Sequence, residues 1–86
     1  MKTYEIVIGV KFGAGDPSEY LDMMLRDVNE HLPNQTRVSE PREDGRYVYV
    51  TLTDYVHPTE GHNKQTESYV QGLIAGFLIA SGIEVI

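Results

Sequence analysis

The side chains best suited to metal binding or acid–base catalysis are those of two histidines and a glutamate, His57, Glu60 and His62. They fall between Asp54 and Lys64, the longest stretch without regular periodicity. Imidazole and carboxylate groups bind zinc and other transition metals, and an imidazole that titrates near neutral pH can act as a general acid or base. Their spacing matches no established metal motif, a fourth ligand is missing and no nucleophile accompanies them. The sequence therefore favours a solvated loop, without a metal or cofactor, over a metal site or a small enzyme.

The Gly13–Gly15 turn is a second place where a ligand could bind. Backbone N–H groups at a helix N-terminus attract anions. Asp16 and Glu19, however, place carboxylates at that end of the predicted helix, where they would repel a phosphate. A turn followed by Asp16 as N-cap and Pro17 in the first helical position is the better account of this pattern.

The strands that carry these segments are defined by alternating hydrophobic residues. Val48, Val50 and Leu52 alternate with polar and aromatic residues and are predicted to enter the core. A glycine at position 45 provides the positive φ of a hairpin turn. The predicted strands are residues 4–12, 36–41, 46–55 and 83–86, with the turn at Arg42–Gly45.

Two helices are predicted between these strands. The first follows Asp16 and ends at Pro33, and the second begins between Asn63 and Thr66 and runs to about Ser81. Gly82 then provides the left-handed C-terminal residue. The predicted buried stripe of the first helix is Leu21, Met24, Leu25, Val28 and Leu32.

This order of strand, helix, strand, strand, helix and strand resembles that of the ferredoxin-like domains. The resemblance implies an α+β fold, with a four-stranded antiparallel sheet and both helices on one face. RNA-recognition motifs, ACT regulatory domains and acylphosphatases share the layout. Because the resemblance is one of topology, it assigns no function.

Tyrosines on the sheet face opposite the helices are candidates for protein binding. Tyr47, Tyr49 and Tyr55 alternate with the core residues of the third strand, and tyrosine is enriched in interface cores. RNA-recognition motifs stack bases on such a face, but this strand lacks their basic-Gly-aromatic signature. Protein binding is therefore favoured, and direct nucleic-acid binding is disfavoured.

The outward side of the first helix is acidic and carries one methionine. Asp22, Arg26 and Glu30 have the spacing of i, i+4 ion pairs. Met23 is a flexible apolar side chain among carboxylates, which suits contact with a basic partner protein. The predicted contact residues of this helix are Glu19, Met23, Asp27 and Glu30.

Small residues recur every fourth position along the second helix, at Gly72, Gly76 and Ala80. Such residues allow close approach of a neighbouring backbone. A helix that is apolar on all sides is normally buried on all sides. In a domain of two layers, the outer side is covered either by the rest of the chain or by a second subunit. These three residues are therefore predicted to form a dimer contact or a very close intramolecular contact.

Length and charge limit the number of domains, the compartment and the class of function. The chain has 86 residues, no cysteine and a net charge of −6, which predicts one domain over residues 1–86 in a reducing, cytoplasmic compartment. Residues 70–86 are too short and too interrupted to span a membrane. The sequence predicts a non-catalytic homodimeric module that binds a basic protein and regulates or inhibits it. An ACT-like small-ligand sensor, with its ligand near Gly13–Asp16, and an enzyme or metal site at His57–His62 are the alternatives.

Overall fold

Two helices pack on one face of an antiparallel sheet in the computed structural model of the protein, which describes residues 2–59 and 61–86. A short 3-10 helix at Pro17–Tyr20 precedes the first α-helix. The elements in chain order are β1 (Thr3–Lys11), α1 (Leu21–Glu30), β2 (Arg37–Asp44), β3 (Tyr47–Tyr55) and α2 (His62–Ala80). The fold is therefore α+β, as predicted. None of the described helices is long and apolar enough to cross a membrane.

The sheet has three strands in the order β1-β3-β2, and the predicted four-stranded sheet is wrong. Strand β3 pairs antiparallel with both neighbours. Its register opposite β1 places Leu52 beside Ile6 and Val50 beside Ile8. Val50 and Leu52 are fully buried, which confirms the predicted inward side of this strand.

The segment after α2 forms no fourth strand of the sheet. Gly82, with φ of 83°, ends the helix, and residues 83–86 make one isolated bridge, between Phe12 and Val85. A hydrogen bond from the amide of Ile86 to the carbonyl of Lys11 (3.1 Å) holds the end of the segment. The segment lies where a fourth strand would lie, but its pairing at Phe12 does not extend into a ladder.

Strand β2 is longer than predicted, and its hairpin turn lies further along the chain. Asp44 pairs with Tyr47, so the turn consists of Gly45 and Arg46 and does not span residues 42–45. A β-bulge interrupts the pairing between Ser39 and Arg42. The extra residue arises at Glu40, which has a positive φ of 52°.

The core lies between the sheet and the two helices. Met24 and Val28 are the fully buried residues of α1, whereas Leu21, Leu25 and Leu32 are only partly buried around them. The amide group of Asn29 joins α1 to β2: its oxygen accepts from the amide of Val38 (2.8 Å), and its nitrogen donates to the Val38 carbonyl (3.0 Å). The fully buried residues of α2 are Val70, Ile74 and Leu78.

Candidate functional site

The side of α2 that faces away from the sheet is an exposed apolar surface. Tyr69 and Ile79 are 52% and 62% exposed. A Cβ atom added at Gly72 or Gly76 would meet no described atom within 4 Å, apart from the helix's own backbone, and Ala80 is also exposed. The predicted intramolecular contact of this stripe is therefore wrong, and its predicted role in a dimer stays a prediction. We call the exposed side of α2 formed by Tyr69, Gly72, Gly76, Ile79 and Ala80 the outer face.

The segment that carries the outer face has no charged side chain. From Ser68 to Ile83 the sequence contains no Asp, Glu, Lys, Arg or His. The core accounts for one apolar side of this segment, since it contains Val70, Ile74 and Leu78. It does not account for the apolar residues of the outer face. Large exposed apolar patches are uncommon on monomers and mark interaction sites.

Tyr47 and Tyr49 lie together on the sheet face opposite the helices. Their rings stack with centroids 5.6 Å apart and planes inclined by 16°. The guanidinium carbon of Arg42 lies 5.7 Å from the centroid of the Tyr49 ring, within the range of a cation–π contact. Tyr47 is 39% exposed and Val7 of β1 is 52% exposed. This pair is a small aromatic patch at one end of β3.

Tyr55 belongs to a different cluster at the other end of β3. Its ring centroid lies 4.1 Å from that of His57, which in turn lies 3.5 Å from that of His62. These three rings line a pocket of about 380 Å³ together with Leu32, Pro33, Thr36, Gln65, Thr66 and Tyr69. The predicted tyrosine surface is thus divided into two separate groups.

The histidine loop has no set of metal ligands in the part of the chain that the structure describes. No three His, Cys, Asp or Glu side chains converge among those residues. Glu60, the third residue of the predicted site, lies outside the described residues. The ring planes of His57 and His62 are tilted by 39° to each other, and the amide nitrogen of His57 donates to the side-chain oxygen of Asn63 (3.1 Å).

A buried carboxylate beneath the histidine loop joins β3 to α2. Asp54 is fully buried and accepts hydrogen bonds from the hydroxyl of Thr36 (2.7 Å) and the amide of Tyr55 (2.9 Å). The amide nitrogen of Asn63 lies 3.4 Å from its second oxygen and also donates to the carbonyl of Tyr55 (3.0 Å). Asp54 continues the inward alternation of Val48, Val50 and Leu52, so its burial could have been predicted from the sequence.

Tyr4 lies next to this network, opposite Asp54 in the ladder. Its hydroxyl oxygen is buried and has no hydrogen-bond partner among the described residues. Burial raises the pKa of Tyr4 above its ordinary value, and the carboxylates of Asp54 and Glu67 raise this pKa further. The phenol is therefore held in its neutral form.

The outward side of α1 presents Met23, which is 54% exposed, beside acidic residues. Glu19 and Glu30 are exposed, whereas Asp27 is partly buried. The ion pairs predicted from Asp22 to Arg26 and from Arg26 to Glu30 do not form: the salt bridge found among the described residues joins Lys64 to Glu67 (3.7 Å). The carboxylates of α1 therefore remain available to a partner.

The turn at Gly13–Gly15 is occupied by Glu84, from the segment that follows α2. The amide of Ala14 donates to the carboxylate of Glu84 (3.3 Å), and the amide of Glu84 donates to the carbonyl of Ala14 (2.9 Å). Asp16 caps the 3-10 helix by accepting from the hydroxyl (2.7 Å) and the amide (3.0 Å) of Ser18, and these two hydrogen bonds lower the pKa of Asp16. The predicted N-cap is confirmed, and a carboxylate lies where an anionic ligand would bind.

Comparisons with known proteins support the fold and give no family. No family model matches the chain, and no curated protein matches it. Among solved structures, MSL1 from Arabidopsis thaliana, determined by cryo-EM, is similar with a TM-score of 0.63 at 9% sequence identity. The match covers 100% of this chain but only 36% of the MSL1 chain. At this identity the similarity concerns the fold alone.

Proposed function

We propose that this protein is a non-catalytic protein-binding module and that its main binding surface is the outer face of α2. The observation that carries the proposal is the exposure of Tyr69 and Ile79 on both sides of Gly72 and Gly76, two positions open to any neighbour. Burial of apolar area provides about 25 cal/mol per Å². A partner that covers this face therefore gains free energy that the isolated chain does not obtain.

The exposed side of α1 is a second binding surface with a different chemistry. Met23 provides an apolar contact, and Glu19 and Glu30 provide negative charge around it. This surface suits a basic partner protein, whose activity the module would regulate or inhibit by covering it. The two surfaces differ in charge, because the outer face of α2 carries none.

A photo-cross-linking side chain at position 79 tests the proposal directly. With a benzophenone group in place of Ile79, we expect light-dependent cross-links to a protein in extract from the native host, which mass spectrometry identifies. The same group at Gln35, an exposed turn residue, is the matched control and should not produce these cross-links. Equal cross-linking from both positions, or none from position 79, would overturn the assignment of the outer face.

A charge on the outer face provides the second arm of the test. Gly76→Glu should abolish the cross-links from position 79, because a carboxylate buried without a partner is costly. Gln35→Glu adds the same charge away from α2 and should leave the cross-links unchanged. Circular dichroism of each variant checks that the fold is retained.

A further inference from the structure

The outer edge of β1, on the side away from β3, is paired only near its C-terminal end. In an antiparallel ladder, alternate residues direct both their N–H and their C=O to the same side. The carbonyl of Lys11 points to the outer edge, since it accepts from the amide of Ile86 (3.1 Å). The same alternation turns the backbone groups of Thr3, Glu5 and Val7 to this edge, where they have no backbone partner among the described residues. A row of unpaired groups of this kind is a template for a strand from another chain.

Gln71 of α2 takes the place of one hydrogen-bond donor of such a strand. Its side-chain nitrogen donates to the outward carbonyl of Gly9 (3.1 Å), where the N–H of a fourth strand would donate. Gln71 is exposed, so its amide can exchange this hydrogen bond for one with water at little net cost. The carbonyl of Gly9 is therefore available to a strand that displaces the glutamine.

The space between α2 and the outer edge of β1, which we call the slot, has room for side chains. A cavity of about 350 Å³ lies at one end of the slot. Its walls include Val10 and Lys11 of β1 and, on α2, the small residues Ser68, Gly72 and Ala75. Strand β1 itself pairs with β3 along its whole length without a bulge. The slot is thus bordered by a regular strand and by a helix surface with short side chains.

The side chains along this edge define the chemistry of the strand that fits it. Val7 is 52% exposed on the open face of the sheet, and Ile6 is partly buried on the helix side. Glu5 is exposed next to Val7 and forms no salt bridge with the described residues. Directly opposed side chains of antiparallel strands share a face, and opposite charges there stabilise the pair. A lysine or arginine opposite Glu5, with apolar residues opposite Ile6 and Val7, complements the edge.

A second copy of β1 fits the slot poorly. The two-fold pairing with Val7 opposite Val7 brings Thr3 of one copy to the place that Ile86 holds in the other. Registers shifted towards Glu5 avoid this clash, but they bring the Glu5 carboxylates of the two copies close together, which is unfavourable. The net charge of −6 on each copy adds to the repulsion.

We propose that the outer edge of β1 is a third binding surface, which takes an extended, basic and apolar segment of a partner protein as an antiparallel fourth strand. Backbone hydrogen bonds to Thr3, Glu5, Val7 and Gly9 provide affinity, and the charge opposite Glu5 provides selectivity. Antiparallel pairing is slightly more stable per residue than parallel pairing. This surface is separate from the acidic side of α1 and does not depend on what covers the outer face of α2.

A synthetic strand tests the backbone pairing directly. The probe is the acetylated and amidated peptide Thr-Val-Val-Val-Lys-Val-Thr, whose lysine lies opposite Glu5 when its first threonine lies opposite Gly9. Saturating peptide should slow amide hydrogen exchange of Glu5 and Val7 about tenfold or more, measured by NMR. No protection of these amides at any soluble peptide concentration, or protection of α1 and α2 alone, would overturn the proposal.

Two methylated peptides separate strand pairing from simple adhesion. N-methyl groups on the peptide residues opposite Glu5 and Val7 remove the donors to β1 and should abolish the protection. The matched control carries its N-methyl groups opposite Tyr4 and Ile6, where the peptide N–H groups point away from β1, and should bind like the parent. Equal binding of the two methylated peptides would show that the peptide does not add as a strand.

A charge swap tests the choice of partner. Glu5→Lys should raise the dissociation constant of the lysine peptide about threefold to tenfold, and a peptide with glutamate in place of lysine should recover the loss. Glu43→Lys makes the same change in net charge at the exposed hairpin and should leave binding unchanged. Equal weakening by both variants, each folded by circular dichroism, would overturn the role of Glu5. Protection of the β1 amides in the free chain that grows with its concentration would show a second copy at this edge and overturn the proposal.

Discussion

The ring of Tyr49 lies on Gly9 of the adjacent strand. These residues are directly opposed in the β1–β3 ladder, and a Cβ added at Gly9 would come within 2.7 Å of a ring carbon of Tyr49. The ring covers backbone that a side chain would otherwise protect, and it is held in place by its stack on Tyr47. The aromatic patch is therefore packed against the sheet and does not project freely into solvent.

This contact predicts that Gly9 and Tyr49 are energetically coupled. Gly9→Ala should lower the free energy of unfolding by about 1 kcal/mol, because the new methyl group displaces the ring. In the Tyr49→Ala background the same change should be neutral or stabilising, since alanine is the better strand residue once the ring is gone. Urea denaturation of the four proteins gives the coupling energy. Equal effects of Gly9→Ala in both backgrounds would contradict the contact.

The hydrogen bonds of Asn63 under the histidine loop predict that its replacement lowers the free energy of unfolding, whereas replacement of the exposed Asn34 does not. Asn63→Ala removes an acceptor for the amide of His57 and a donor for the carbonyl of Tyr55. We expect a loss of about 1 to 3 kcal/mol of unfolding free energy, because partly buried polar groups lose their partners. Asn34→Ala, at an exposed position, is the control and should change stability little. A loss for Asn34→Ala as large as that for Asn63→Ala would show that the network is not the cause.

The raised pKa of Tyr4 predicts that the free energy of unfolding declines at alkaline pH. Its pKa is raised in the folded state by burial first and by Asp54 and Glu67 second. Above the ordinary tyrosine pKa of about 10 the unfolded chain loses this proton before the folded one does. The stability that Tyr4 contributes is thus complete below that pH and is lost as the pH rises towards the folded-state pKa.

The variant that checks this prediction is Tyr4→Phe, which removes the buried hydroxyl. Its unfolding free energy near neutral pH should be equal to or above that of the wild type, since the lost oxygen has no partner among the described residues. Its decline above about pH 10 should be shallower than that of the wild type. Parallel curves for the two proteins, from denaturation at each pH, would rule out Tyr4 as the titrating group.

The acidic side of α1 predicts salt-dependent association with a basic partner. Glu19→Lys with Glu30→Lys should slow association with a protein captured through this surface, most strongly at low salt, because steering between opposite charges is lost. Glu43→Lys with Asp44→Lys makes the same change in net charge at the exposed hairpin and serves as the control. Stopped-flow rates at two salt concentrations distinguish them. If both variants slow association equally, the net charge matters and α1 is not the contact surface.

The sequence predicts the structure best at positions where the residue type suits a single structural role. Val48, Val50 and Leu52 alternate strictly and enter the core, and Asp16 and Gly82 occupy the helix ends that their chemistry favours. Strand β2 was placed poorly because Val38 is its only buried residue and Pro41 is typical of a strand end. Its extent depends on pairing with β3, which the local sequence does not encode.

The sites were less predictable than the core. The apolar character of α2 on all sides led to an expectation of burial on all sides, but one sheet can cover only one side of a helix. The exposure of Gly76 follows from the absence of a third layer among the described residues. Residues 83–86 have strand composition, yet within this segment only Val85 forms a bridge, because strand formation depends on a paired neighbour and not on composition alone.

The bulge at Glu40 limits the docking of a strand from another molecule along the edge of β2. Pairing on β2 is interrupted between Ser39 and Arg42, which leaves three consecutive paired residues on each side. A foreign strand that docks along this edge would find runs about half as long as the six or seven residues that build a fibril spine. Open-ended growth by strand addition is thereby disfavoured along the β2 edge.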